Sequence, residues 1–76
     1  MITAIEFCDQ YISILEMLDF MLLPSYHPAL RKLYTIDPED FATPESVFAS
    51  DGEMVGFVLS LIIKTQREID ANGKEN

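Results

Sequence analysis

Thr3-Ala4-Ile5-Glu6-Phe7-Cys8-Asp9-Gln10-Tyr11-Ile12-Ser13-Ile14-Leu15-Glu16-Met17-Leu18-Asp19-Phe20 is the stretch that decides the fold class. Its first four residues fit a capping box: the Thr3 hydroxyl can accept from the Glu6 amide, and Glu6 can reach back to Thr3. Ile2 and Phe7 sit where a hydrophobic staple would lie. Phe7, Cys8, Tyr11, Ile14, Leu15, Leu18 and Leu22 recur at helical spacing and form one apolar stripe. Glu6, Asp9, Gln10, Ser13 and Glu16 form the opposite face. A helix is expected over Thr3–Leu23, with Pro24 as its stop. Met17 and Phe20 fall on the polar side, so Met17–Leu23 is apolar almost all round.

The far end of the chain reads the same way. Ser50-Asp51-Gly52-Glu53 is a second capping-box pattern, and Asn72-Gly73 is a stop signal. The spacing predicts a helix over Asp51–Ala71, followed by a frayed tail at Gly73–Asn76. Its stripe is Met54, Val55, Phe57, Val58, Leu61, Ile62, Thr65 and Ile69. Glu53, Gly56, Ser60, Lys64 and Arg67 lie opposite, while Leu59 and Ile63 fall outside the stripe. Val58–Ile63 is rich in β-branched residues, but no second strand offers itself as a partner. Between the long helices, His27-Pro28 opens a two-turn helix through Tyr34. Asp37-Pro38-Glu39-Asp40 and Thr43-Pro44-Glu45-Ser46 each read as a single helical turn, with Phe41, Val47 and Phe48 as anchors into the core. The expected fold is one all-α domain over 1–76: two long helices packed antiparallel, closed by short helical turns.

The charge is lopsided. Five Lys plus Arg face thirteen Asp plus Glu, for a net −8 on 76 residues. Nucleic-acid binding needs basic side chains that displace counterions, so DNA and RNA are poor ligands for such a chain. Anionic membranes are excluded by the same argument. A basic protein partner, reached by electrostatic steering, suits the charge. The apolar run Met54–Ile63 is too short to span a bilayer. The single cysteine rules out an internal disulfide, and the opening residues lack a signal-peptide pattern, so a cytoplasmic setting is expected.

Catalytic chemistry has little to build on. His27 stands between Tyr26 and Pro28 at a helix start, which suits a capping or surface role. Cys8 lies on the apolar stripe, past the first helical turn, where a thiol acts as a small hydrophobe. No calcium-loop spacing occurs, and no metal or cofactor is expected. Asp37, Glu39, Asp40, Glu45, Asp51 and Glu53 are six acids with no Lys or Arg among them. Helix-start chemistry explains such positions one by one, because carboxylates in first turns complement the helix dipole. It does not explain the missing bases, so an anionic docking face stays open beside it. The off-stripe residues Met17, Phe20, Leu59 and Ile63 are either covered by the middle turns or form a homodimer or partner seam. Gly56 and Ser60, four apart, would permit close approach of another helix.

Ile2-Thr3-Ala4-Ile5-Glu6-Phe7 followed by Cys8-Asp9-Gln10-Tyr11 resembles a segment of immunity proteins of the colicin D type. Those are small acidic helical bundles that cover the positively charged active site of a tRNA-cleaving toxin. The resemblance covers Ile2–Tyr11, and no binding residue of the family is carried over. The same physical profile fits phage-encoded inhibitors of host defence such as anti-CRISPR proteins. Both imply a non-enzymatic inhibitor that occludes a basic, nucleic-acid-handling partner. The alternative is a structural protein that self-associates through an apolar helix seam.

Overall fold

Thr3 caps the first helix as its sequence demands. Its Oγ1 accepts from the Glu6 amide at 3.2 Å. The Glu6 carboxylate takes the Thr3 hydroxyl at 3.3 Å, where the capping box would have it reach the Thr3 amide. The computed structural model describes residues 1–42 and 47–74, so the turn expected at Thr43-Pro44-Glu45-Ser46 and the tail at 75–76 lie outside the described residues. Strand β1 (Ile2–Thr3) leads into helix α1 (Ala4–Met21), then a 3₁₀ turn at Pro24–Tyr26 and helix α2 (His27–Tyr34). A second 3₁₀ turn at Pro38–Asp40, strand β2 (Val47–Phe48) and helix α3 (Asp51–Lys74) follow.

Helix ends depart from expectation for identifiable reasons. α1 stops at Met21, two residues early, with Leu22 and Leu23 both extended. A residue before proline is pushed out of the helical region, and Leu23 precedes Pro24. α3 runs through Asn72-Gly73 to Lys74. A glycine stop needs a left-handed backbone, and no described glycine has positive φ. The helical reading of Val58–Ile63 holds.

The two-residue strands are the element that pattern reading missed. Ile2 pairs with Phe48 and Thr3 with Val47, antiparallel. The alternation is regular: Ile2 is buried and Thr3 exposed, while Phe48 packs on the core and Val47 is 51% exposed. Val47 is therefore not the core anchor expected of it, because its register beside Thr3 turns it outward. Phe41 and Phe48 do anchor. Phe7, Phe48 and Phe57 form a triangle with ring centroids 5.4, 5.5 and 5.8 Å apart. Tyr11 extends it, 5.9 Å from Phe7 and 6.2 Å from Phe41.

These contacts set the helix directions. The β1–β2 pair and the Phe7–Phe57 contact bring the starts of α1 and α3 to the same end. At the other end, His27 Nε2 lies 3.1 Å from Asp19 Oδ1. Beside it, the Ala29 amide donates to Gln66 Oε1 at 3.0 Å. So α1 and α3 run in the same sense and α2 returns between them. The two long helices are not antiparallel, because one intervening helix reverses the chain once and the segment after it stays at the strand end.

The core between the helices holds Phe7, Tyr11, Ile14, Leu15 and Leu18 from α1 and Ala29, Leu30 and Leu33 from α2. Met54, Val58 and Ile62 from α3 complete it. Tyr11 is fully buried and its hydroxyl donates to the Leu33 carbonyl at 2.8 Å. That carbonyl belongs to the last turn of α2, where it also accepts the Ile36 amide at 3.2 Å, so the phenol takes its second lone pair. Burial pushes the Tyr11 phenol from an ordinary 10.0 up to about 12. A folded-state value above the unfolded one favours the protonated fold, so the contribution is complete below about pH 10 and lost as pH rises toward 12. Tyr11→Phe leaves the Leu33 carbonyl with the Ile36 amide alone, and the lost hydrogen bond should cost about 0.5–1.5 kcal/mol at neutral pH. Urea denaturation across pH should show that deficit narrowing between pH 10 and 12, because only the wild type carries the titrating phenol.

Gly56 does not serve close packing. A Cβ built there meets nothing within 4 Å. Gly56→Ala should therefore raise stability by about 0.5–1 kcal/mol through helix propensity alone. A thermal melt of the two proteins checks it, and a loss of stability would mean that the outer face of α3 is closely covered.

Candidate functional site

The six acids singled out in the sequence divide into two groups. Asp37 caps the second 3₁₀ turn, its Oδ1 accepting from the Glu39 amide at 3.0 Å. Glu39 and Asp40 follow within that turn and are exposed. The turn packs on α1. Asp51 and Glu53 open α3, where Glu53 Oε2 accepts from the Ala49 amide at 3.3 Å and Ser50 Oγ accepts from the Glu53 amide at 3.2 Å. Glu53 is thus engaged in capping. Glu45 lies outside the described residues.

Cys8 reports where the first group sits. Its thiol is raised above the ordinary range, first by burial, then by the fields of Glu39, Asp37 and Asp9. The sequence grouped Asp37 and Glu39 with acids further along the chain. The fold places them beside Asp9 of α1 instead. A raised thiol is a weaker nucleophile, because the thiolate is the reactive form.

A second set of carboxylates lies along the rest of α1. Asp19 pairs with His27, both side chains about half exposed. The Tyr34 phenol is raised by burial and then by Glu16 and Asp19, which places both acids near the end of α2. α1 contains Glu6, Asp9, Glu16 and Asp19 and neither Lys nor Arg. Among the described residues, His27–Asp19 is the one contact within 4 Å between a carboxylate and a basic side chain.

The four off-stripe residues do not form one seam. Met17 and Phe20 are exposed on α1, so the middle turns do not cover them. Leu59 and Ile63 are half-buried and share a helical row with Gln66, the residue that bonds α2. Ile63 also lines a recess with Ser25, Tyr26, Gln66, Arg67 and Asp70. α3 meets α1 through the Phe57 side and α2 through the Gln66 side, so Leu59 and Ile63 lie away from Met17 and Phe20. Two further exposed apolar residues, Ile5 and Ile12, went unremarked in the sequence. A helical wheel could have found them, since both fall off the buried stripe.

Two recesses on the described surface involve α3. An open trough of about 420 Å3 runs along α3, lined by Ser60, Ile63, Lys64, Arg67, Glu68 and Ala71. Neither it nor the recess by Tyr26 counts Cys8 or His27 in its lining. Among the described residues, no group of three His, Cys, Asp or Glu side chains could hold a metal ion. No helix of the described residues is long and apolar enough to cross a membrane.

The field at Cys8 is open to test. Alkylation by iodoacetamide at pH 8 should run slower than for a free cysteine. The double variant Asp37→Asn, Glu39→Gln should speed it by about two- to fivefold while keeping the turn's cap. An unchanged rate would remove those two carboxylates from the thiol's surroundings.

Comparison of the chain with protein-family models, with curated proteins and with solved structures finds no match.

Proposed function

We propose that the chain is a non-enzymatic inhibitor that binds a basic, nucleic-acid-handling protein through its carboxylates and occludes that partner's surface. The observation that carries this reading is the neighbourhood of Asp9, Asp37 and Glu39 around Cys8, with no cation paired to any of them among the described residues. Capping accounts for Asp37 and Glu53. It leaves Asp9, Glu39, Asp40 and Asp51 as surplus negative charge. A patch of one sign speeds encounter with an oppositely charged partner and repels nucleic acid that competes for it. Immunity proteins of the colicin D type and phage anti-defence inhibitors are the functional classes this describes, and a cytoplasmic setting is part of the reading.

Self-association is the second reading, supported by the exposure of Phe20. It is weakened by the separation of Met17 and Phe20 from Leu59 and Ile63, and by the like charges along α1. Sedimentation at several concentrations decides it: a stable oligomer lost in Phe20→Glu, with a folded monomer remaining, favours assembly.

The inhibitor reading is tested on a tRNA-cleaving nuclease domain of the colicin D type and on CRISPR effector complexes. The wild-type chain should block one of them in a salt-sensitive manner. Reversing Asp37, Glu39 and Asp40 to Lys should weaken inhibition by about tenfold or more at low salt. Inhibition and salt dependence that both survive the reversal would remove the electrostatic part of the proposal.

A further inference from the structure

Four of the five phenylalanines, Phe7, Phe41, Phe48 and Phe57, pack into the ring cluster at the strand end. The fifth, Phe20, is 95% exposed. It is not isolated. Ile5 is 76% exposed and Ile12 44% exposed, and both lie on the same side of α1 as Phe20. Asp9 and Glu16 fall between them, so Ile5, Asp9, Ile12, Glu16 and Phe20 form a single exposed ridge in steps of three and four residues. The ridge alternates apolar and acidic along about 22 Å of helix. Glu6 and Asp19 flank it.

Helix stability does not account for this arrangement. A helix C-terminus favours cations, yet the last turns of α1 carry Glu16 and Asp19 and no basic residue. Solubility accounts for the acids but not for three large apolar side chains held in water.

We propose that the outer ridge of α1 seats a basic amphipathic helix of a partner protein. Its apolar side chains would pack on Ile5, Ile12 and Phe20, and its Lys and Arg side chains would meet Asp9 and Glu16, with Glu6 and Asp19 at the rim. Phe20 is the single aromatic of the ridge, in line with two apolar neighbours, and aromatic side chains buried at the centre of an interface carry much of its energy. A second copy of this chain does not fit the same ridge. Two α1 faces laid together would oppose Glu6, Asp9, Glu16 and Asp19 of each copy with no base on either helix. Nucleic acid and anionic lipid are repelled by the same carboxylates. The ridge shares Asp9 with the carboxylates around Cys8, but its apolar contacts do not depend on the role of the Asp37–Asp40 turn.

The experiment uses the full chain and two labelled synthetic peptides of about four helical turns. One places Leu on a single face with Lys and Arg at its flanks, and the other is its scramble of identical composition. Fluorescence anisotropy should show the amphipathic peptide binding about tenfold tighter than the scramble. Phe20→Ser and Ile12→Ser should each weaken it about tenfold, with circular dichroism confirming an unchanged fold. Glu16→Gln should weaken it less and flatten its salt dependence. Asp37→Asn with Glu39→Gln should leave the preference for the amphipathic peptide over its equally charged scramble unaltered, which separates this surface from the one proposed above. Equal binding of the two peptides, or indifference to both serine variants, overturns the proposal. So does a dimer of the free chain that dissociates in Phe20→Glu, since the ridge would then belong to a second copy.

Discussion

Helix α2 is held at both ends by side chains from its neighbours, and the rest of the fold depends on that clamp. Eight residues are too few to form a stable helix alone in water. At its start, the Ala29 amide donates to Gln66 Oε1, and Gln66 Nε2 in turn donates to Asp70 Oδ1 at 2.9 Å. At its end, the Leu33 carbonyl accepts from Tyr11. An amide that the helix cannot pair for itself is thus paired by α3 at one end, and at the other α1 adds a second donor to a carbonyl that also accepts the Ile36 amide. The energetic asymmetry is what makes the clamp directive. A made hydrogen bond contributes about 0.5–1.5 kcal/mol, while a buried orphan costs about 1–3. Sliding α2 by one residue would break both side-chain bonds and leave the Ala29 amide without Gln66, so its position between the long helices is fixed in register as well as in depth.

With α2 placed, the distribution of charge follows. The clamp brings the end of α2 beside Glu16 and Asp19, and the turn after it, Pro38–Asp40, against the Cys8 side of α1. α1 thereby faces carboxylates from a neighbouring turn while carrying four of its own and no base. Of the bases, Arg31 and Lys32 belong to the last turn of α2, while Lys64 and Arg67 line the outer trough of α3. A chain of net −8 therefore has an electrostatic direction that composition alone does not express. The exposed Ile5, Ile12 and Phe20 lie on the acidic helix, so apolar area and negative charge coincide on one surface.

Local rules made much of the helical content legible. Thr3 and Ser50 cap as their spacing with Glu6 and Glu53 requires, and Asp37 caps its turn. Phe7, Tyr11, Ile14, Leu15 and Leu18 are buried as their periodicity demands. The helix over His27–Tyr34 is marked by the proline at its second position. Each of these depends on residues within a few positions of one another. The β1–β2 pair was not legible, because two residues are too short a run for any period to show. The site was legible only in part. The acids were visible, but their neighbours were not, since Asp37 and Asp9 act on the same thiol only after the chain has reversed.

The sequence by itself determined that this is a mostly helical, strongly acidic chain and where its main helices begin. Caps, stripes and charge are written in short-range order, and short-range order survives without a fold. Tertiary structure alone decided that α1 and α3 run in the same sense and that Val47 turns outward. It also decided that Phe20 stays in water while every other phenylalanine finds a partner ring. Those outcomes depend on contacts between residues tens of positions apart, such as Tyr11 with Leu33 and Ala29 with Gln66. The energy of such contacts exists only when all three helices are present, so no stretch of the chain read alone could carry it.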